Sequence, residues 1–377
     1  MISKLNLTFN KVSMYLVAAL LASTSAYSIP KEPCDILQPP ACCEKVQPGP
    51  FAFTYPKDVG LACPRDFYVF GDLLFLKAAE DGLDYAIEDS TAGSVAFPVA
   101  PGNIHGMSTQ AHDWNWNYGA RAGFGFYLNH DQWNIETRWM YLRINNDKTS
   151  YAPGETLSPL WAPVQLITTS ERASERWTAT MNIFDICLGK PFHASRYFVL
   201  NPNFGIRAAW IDQDLLTRYS WFYSFPAHPF VSNGIVEISS SNNYWGVGIR
   251  GGLNSEFLLG SGWALFGNFG LSMLFSKFEI KQDSNGFVQS SNGDFEVHND
   301  FYSNVPNLDL TFGMSFSHLF SKNKNMMSFK LAYEFHEWFQ QNHLRRFYSN
   351  TNFAYNQEVV HGDLTLNGLS FRVQFDF

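Results

Sequence analysis

Charge is scarce in this chain. Charged residues make up 16% of its 377 positions, where soluble domains carry about 25%. The net charge of -8 leaves no basic excess, which excludes nucleic-acid recognition as a class, since phosphate contacts need a basic face. Long apolar runs are missing too. Met14–Ala22 is apolar but too short to cross a bilayer, which takes ~20 helical residues, and no longer run follows it. A membrane location would therefore require a β-barrel, the other fold that satisfies its backbone hydrogen bonds in lipid. Cysteine nearly disappears after Cys63, with Cys187 alone beyond it.

Aromatic residues, by contrast, reach 17%, yet the mean hydropathy is only -0.16. Apolar residues must then be interleaved with polar ones. The N-terminus carries Lys4 and Lys11 ahead of the apolar stretch and small residues from Ser23 to Ala26. That order predicts a signal peptide over 1–28, with cleavage after Ala26 or Ser28 fitting equally well. Residues 29–64 form a Cys- and Pro-rich segment predicted to be periplasmic, and 65–377 is the predicted barrel. Cys34, Cys42, Cys43 and Cys63 are disulfide candidates in an oxidising compartment. Zinc is the competing chemistry, but spacings of 8, 1 and 20 match no common zinc pattern. The vicinal pair and the odd fifth thiol also allow cross-links to another copy or to other envelope proteins.

From Phe67 onward the dominant period is two. In the last segment Leu369, Phe371, Val373, Phe375 and Phe377 share one face, and Ser370, Arg372, Gln374 and Asp376 share the other. The pattern recurs around residues 114–126, 133–141, 198–210, 245–254, 307–316 and 329–336. Such segments outlast soluble strands, which peak at ~5–6 residues, and suit tilted strands needing ~9–11 residues to cross lipid. Connections alternate between short ones (129–131, 190–195, 260–262, 321–325) and long ones (80–111, 146–172, 213–240, 282–303, 342–358). Ten antiparallel strands follow, with both ends periplasmic. A further hairpin within 213–240 would raise the count to twelve. Trp114, Trp116, Trp133, Trp177, Trp210, Trp245, Trp263 and Trp338 lie near strand ends, where interfacial girdles are expected.

Few motifs suggest other chemistry. Gly246, Gly248 and Gly251 match a dinucleotide fingerprint, but they continue a period-two strand instead of opening a helix. His336-Glu337 begins like a zincin motif, yet the next histidine is His343 and the two side chains would face opposite ways on a strand. No G-x-S-x-G elbow occurs. The sequence therefore predicts no enzyme, cofactor or metal. The alternation sends Asp72, Arg121, Glu136, Arg138, Arg207, Arg250, Glu256, Asp309, Lys330, Glu334, Arg372 and Asp376 to the interior. Arg121, Glu136, Arg138, Arg207, Arg250 and Glu334 are the predicted pore-lining set. A charge-balanced wall predicts weak ion selectivity if a pore is open. If the charges pair off, they fill the lumen.

FGDLLFLKAAEDGLDYA (70–86), LNHDQWNIETRWMYL (128–142), NPNFGIRAAWIDQ (201–213), NNYWGVGIRGGLNSEFLL (242–259), WALFGNFGL (263–271), AYEFHEWFQQNHL (332–344) and GDLTLNGLSFRVQFDF (362–377) resemble the major outer-membrane proteins of Legionella and the similar porin-like proteins of chlamydia-related bacteria. The resemblance covers nearly the whole predicted barrel. It implies a cysteine-linked surface porin of the bacterial outer membrane, with roles in envelope rigidity and host contact. Phe371, Val373, Phe375 and Phe377 look like the sorting signal read by the barrel-assembly machinery. The expected function is passive diffusion of small hydrophilic solutes through an outer-membrane porin. The alternative is a structural or adhesive surface barrel with a closed lumen.

Overall fold

The computed structural model describes residues 49, 51–52, 61, 66–89, 104–106, 115–128, 133–151, 156–161, 170–224, 231–286, 296–321, 324–349 and 355–377. Cys34, Cys42, Cys43, Cys63, Trp114 and the predicted signal peptide lie outside the described residues.

Alternating sequence becomes alternating burial. Leu73 is 56% exposed and its neighbour Leu74 is 1% exposed, so consecutive side chains on one strand meet different surroundings. Ten long strands carry this pattern: β1 Phe67–Glu80, β2 Asn117–Tyr127, β3 Asn134–Tyr151, β4 Arg172–Gly189, β5 Phe198–Ser224, β6 Val231–Gly260, β7 Trp263–Gly286, β8 Glu296–Phe320, β9 Asn325–Asn342 and β10 Gly362–Asp376. Each pairs antiparallel with its sequence neighbour, and β1 closes the barrel on β10 from Tyr68↔Asp376 to Glu80↔Leu364. At the seam the Phe377 amide donates to the Phe67 carbonyl at 3.0 Å, and the two rings stack. Closure removes the edges that would otherwise present unpaired backbone groups.

The outward face forms an apolar belt. Phe204, Ile206, Val247, Ile249, Phe269, Leu271, Phe312, Leu331, Leu369 and Phe371 are all exposed along it. Beyond the belt the same face turns polar, with Asp212 and Asp214 on β5 and Lys277 and Glu279 on β7. Trp116, Tyr118, Trp210 and Trp245 sit outward at one border of the belt and Trp263 at the other, as girdle residues do. Trp177 and Trp338 correct the girdle expectation, because both are fully buried inside the barrel. They share the parity of Asp185 and Glu334, which directs them to the lumen.

Among the described residues no additional hairpin occurs between β5 and β6. The two strands pair without a break from Phe257↔Phe198 to Val231↔Ser224, so most of the expected 213–240 loop is strand standing clear of the belt. The shortest turn, Gly260-Ser261-Gly262, has positive φ at all three residues. A Cβ on Gly262 would overlap the Ser317 carbonyl oxygen, so glycine is needed there. On β6 a Cβ at Gly248 would overlap the Met273 carbonyl oxygen. The glycine-rich run is thus a strand-packing device.

The lumen is not uniformly polar. In its outer half the inward positions are Leu74, Leu76, Leu142, Ile144, Met181, Ile211, Leu274, Leu364 and Leu366, joined by Tyr244, Phe278 and Trp338. Loop residues Leu83, Tyr85, Leu157, Trp161 and Leu344 complete this apolar core. The loops are tied down by specific bonds. Tyr219 donates its hydroxyl to the Tyr85 carbonyl at 2.6 Å, and Arg346 donates to the carbonyls of Gly82 and Asp84 at 2.6 and 3.1 Å. Near the end of β9 the register slips between Trp338 and Asn342, and Gln340 takes a positive φ of 53°. This bulge leaves Gln341, Asn342, His343 and Leu344 all buried, re-aiming the chain over the barrel mouth.

Candidate functional site in the barrel lumen

Below the apolar core lies a layer of charge contributed by nine of the ten strands, all but β7. On β1, Asp72 accepts from Arg372 of β10 at 2.7 Å and from Arg121 of β2 at 2.8 Å. Arg121 continues to Glu334 on β9 at 2.6 Å. His336, two residues along β9 on the same face, bridges Glu334 at 3.0 Å through Nε2 and Asp309 of β8 at 2.8 Å through Nδ1. Asp309 also meets Arg207 of β5 at 2.7 Å and Arg250 of β6 at 3.3 Å. Asp185 of β4 gathers Arg207 and Arg138, both at 2.7 Å, and Arg250 at 3.8 Å. Arg207 further contacts the Asn307 amide oxygen. The chain of contacts crosses the lumen from the β1–β10 seam to β4.

The arrangement is chemically self-satisfying. Buried charges persist only when paired and hydrogen-bonded, and here each guanidinium of the layer faces at least one carboxylate. Both His336 nitrogens are engaged by carboxylates, so no ring nitrogen is directed at a reacting group. Five of the six predicted lining residues, Arg121, Arg138, Arg207, Arg250 and Glu334, meet in this layer. Glu136 sits nearer the short turns, where it accepts the Tyr68 hydroxyl at 2.8 Å. A cavity of about 530 Å³ lies between the layer and the short-turn end, lined among others by Glu136, Glu256, Lys330, Arg372 and Asp376.

Asp185 and His336 were missing from the predicted interior set. His336 follows from the parity of Glu334. Asp185 was harder to see, because β4 reads MNIFDICLG, apolar on both faces. Cys187, also on β4, is buried and free, 3.8 Å from Arg250 Nη1. Phe371, Val373, Phe375 and Phe377 all fall on the outward face of β10.

Beyond the belt two inward carboxyls stand among apolar groups. Glu80 accepts from Gln213 at 3.3 Å through one oxygen, and Glu175 has no hydrogen-bond partner among the described residues. Burial pushes Glu80 up to about 8 and raises Glu175 well above the usual carboxylate range, with Asp84 adding to the latter. A carboxyl raised in the folded state binds more protons there than in the unfolded chain. Its effect is fully retained below its ordinary value near 4.5, and folding stability falls as pH rises from there to about 8. Glu80→Gln is therefore expected to leave stability near pH 4.5 unchanged and to raise it at pH 8. Urea midpoints at the two pH values check this, and parallel shifts would contradict it.

Residues 63–377 match the family described as Legionella pneumophila major outer membrane protein precursor. No curated protein matches. Among solved structures, the outer membrane protease OmpT from Escherichia coli is 9% identical, with a TM-score of 0.37 and 83% of this chain and 97% of that one covered. The TodX deltaS2S3 mutant, a monoaromatic hydrocarbon channel, is 7% identical, with a TM-score of 0.28 and coverage of 88% and 97%. A Pseudomonas aeruginosa FadL homologue is 8% identical, with a TM-score of 0.25 and coverage of 82% and 89%. The family match spans every strand of the barrel, and the apolar belt supplies its membrane face: the chain belongs to the Legionella major outer membrane protein family and is a β-barrel of the bacterial outer membrane.

Proposed function

We propose that this protein is a structural surface barrel whose lumen is closed to diffusing solutes in its resting form. The observation that carries the reading is the ion-pair layer running from Arg372 to Arg138, backed on its outer side by a packed apolar core. Porin walls hold charges that face water, whereas these charges face each other. An apolar constriction also resists a file of water molecules. The interior acts through packing and charge compensation, and no catalytic role is assigned to it. The N-terminal cysteines and the outer loops would then carry cross-linking and contact with other envelope or host components.

Passive diffusion of small hydrophilic solutes is the second reading. The cavity of about 530 Å³ favours it, since its wall of Glu136, Glu256, Lys330 and Arg372 suits a water-filled half-channel. Single-channel recording of the purified full chain in a planar bilayer separates the two. The closed-lumen reading predicts no stepwise conductance from correctly folded barrel. Regular steps with weak ion selectivity would establish diffusion in its place.

A further inference from the structure

The ion-pair layer compensates its own charges, but the cavity beneath it does not balance. Among the described residues, the wall below the layer carries Glu136 on β3, Glu256 on β6 and Asp376 on β10 against the single ammonium of Lys330 on β9. None of the four makes an ion pair among the described residues. Arg138, two residues along β3 from Glu136, is taken by Asp185 at 2.7 Å. The Lys330 ammonium lies 5.5 Å from the centroid of the Phe266 ring. Asp376 is 7% exposed. One of its oxygens accepts from Gln374 at 2.9 Å, and the other has no hydrogen-bond partner among the described residues. A buried carboxyl oxygen without a donor is costly, so this one is placed to receive a donor from outside the chain.

Register and strand order set the spacing of the carboxyls. Tyr68 pairs directly with Asp376 and donates its hydroxyl to Glu136 at 2.8 Å, so these two carboxyls flank one ring. Glu256 lies on β6, five strands from β1 in the closed ring of ten, and faces that pair across the lumen. It accepts from Ser315 through one oxygen at 3.2 Å. Acceptors on opposite walls do not converge on a metal ion, and no group of three ligating side chains among the described residues could hold one. They suit ammonium groups held apart by a carbon chain. Met140 and Ile183 add apolar wall for the methylenes. The volume of about 530 Å³ falls within the range of small-molecule pockets, about 300–1,000 Å³.

We infer that this cavity is a binding site for a linear polyamine, a di- or triamine with an ammonium at each end. One end sits between Glu136 and Asp376, the other on Glu256, and the chain lies along the apolar wall. The cavity reaches the short turns at Pro191 and Gly262, so the ligand enters from the periplasmic side whether or not the lumen conducts.

Isothermal titration calorimetry of the full chain in a nonionic detergent at low salt tests this, with spermidine, butylamine and magnesium ion as probes. Spermidine is expected to bind at one site per barrel, and butylamine, with one ammonium, far more weakly. Glu136→Gln and Glu256→Gln should each weaken spermidine roughly tenfold, and together roughly 100-fold, through loss of one charged hydrogen bond per carboxyl. Glutamine keeps the size of the side chain and an acceptor for Tyr68 or Ser315, so the barrel should still fold. Asp212→Asn, which removes an exposed outward carboxyl, should leave binding unchanged. Undiminished binding by the double glutamine variant would overturn the site. Equal binding of butylamine would do the same, as would displacement of spermidine by magnesium at matching concentration or no spermidine binding to the unaltered chain.

Discussion

Asp185→Ala is expected to destabilise the barrel by about 3–5 kcal/mol, the cost of stranding buried charge. Asp185 is the hub of one side of the layer, with Arg138 and Arg207 at 2.7 Å and Arg250 at 3.8 Å. Arg207 and Arg250 would keep Asp309, but Arg138 would lose the carboxylate it is paired with. The urea midpoint of reversible folding into lipid vesicles measures the loss. A control is Glu237→Ala, which breaks the exposed Arg218–Glu237 pair. Such surface pairs contribute about 0–1 kcal/mol. Equal midpoints for the two variants would mean that the layer is not a structural unit.

Trp338→Ala should cost a similar ~3–5 kcal/mol, for another reason. Trp338 is 1% exposed and sits where the charged layer meets the apolar core. Its ring meets Tyr244 edge-on at 6.2 Å and lies 5.9 Å from the Arg207 guanidinium carbon. Truncation leaves a void between layers that strands in a closed barrel cannot collapse to fill. Trp338→Phe keeps most of the volume, and the indole N–H has no hydrogen-bond partner among the described residues to lose. That variant should cost less than about 1.5 kcal/mol. The same vesicle-folding midpoints decide, and near-equal losses for alanine and phenylalanine would contradict a packing role.

Much of the architecture was legible because lipid enforces a strict alternation. Where one face is apolar and the other polar, as in Leu369 to Phe377, parity fixes orientation, and all twelve residues assigned inward from the pattern line the cavity. Ten strands also follow from the alternation of short and long connections. The pattern fails where both faces are apolar. On β1 the run Leu73-Leu74-Phe75-Leu76 puts Leu73 and Phe75 toward lipid and Leu74 and Leu76 into the core, and nothing in composition separates them. The same ambiguity hid Asp185, whereas around Trp177 the pattern inverts, with Arg176 and Thr178 outward beyond the belt and the apolar face turned into the lumen. Loop length, finally, carries no sign of direction. The inward turn of Leu83, Tyr85 and Trp161 depends on bonds to Tyr219 and Arg346, which are remote in sequence.

Closure of the lumen is best tested by sided access to one reporter. Lys330 lines the cavity and is partly exposed, so Lys330→Cys would report there once the native cysteines are replaced by serine. In vesicles of known orientation, a membrane-impermeant maleimide is predicted to label it rapidly from the periplasmic face. From the outer face it should label no faster than the global unfolding rate allows. Rapid labelling from both faces would contradict the closed barrel and restore the open porin.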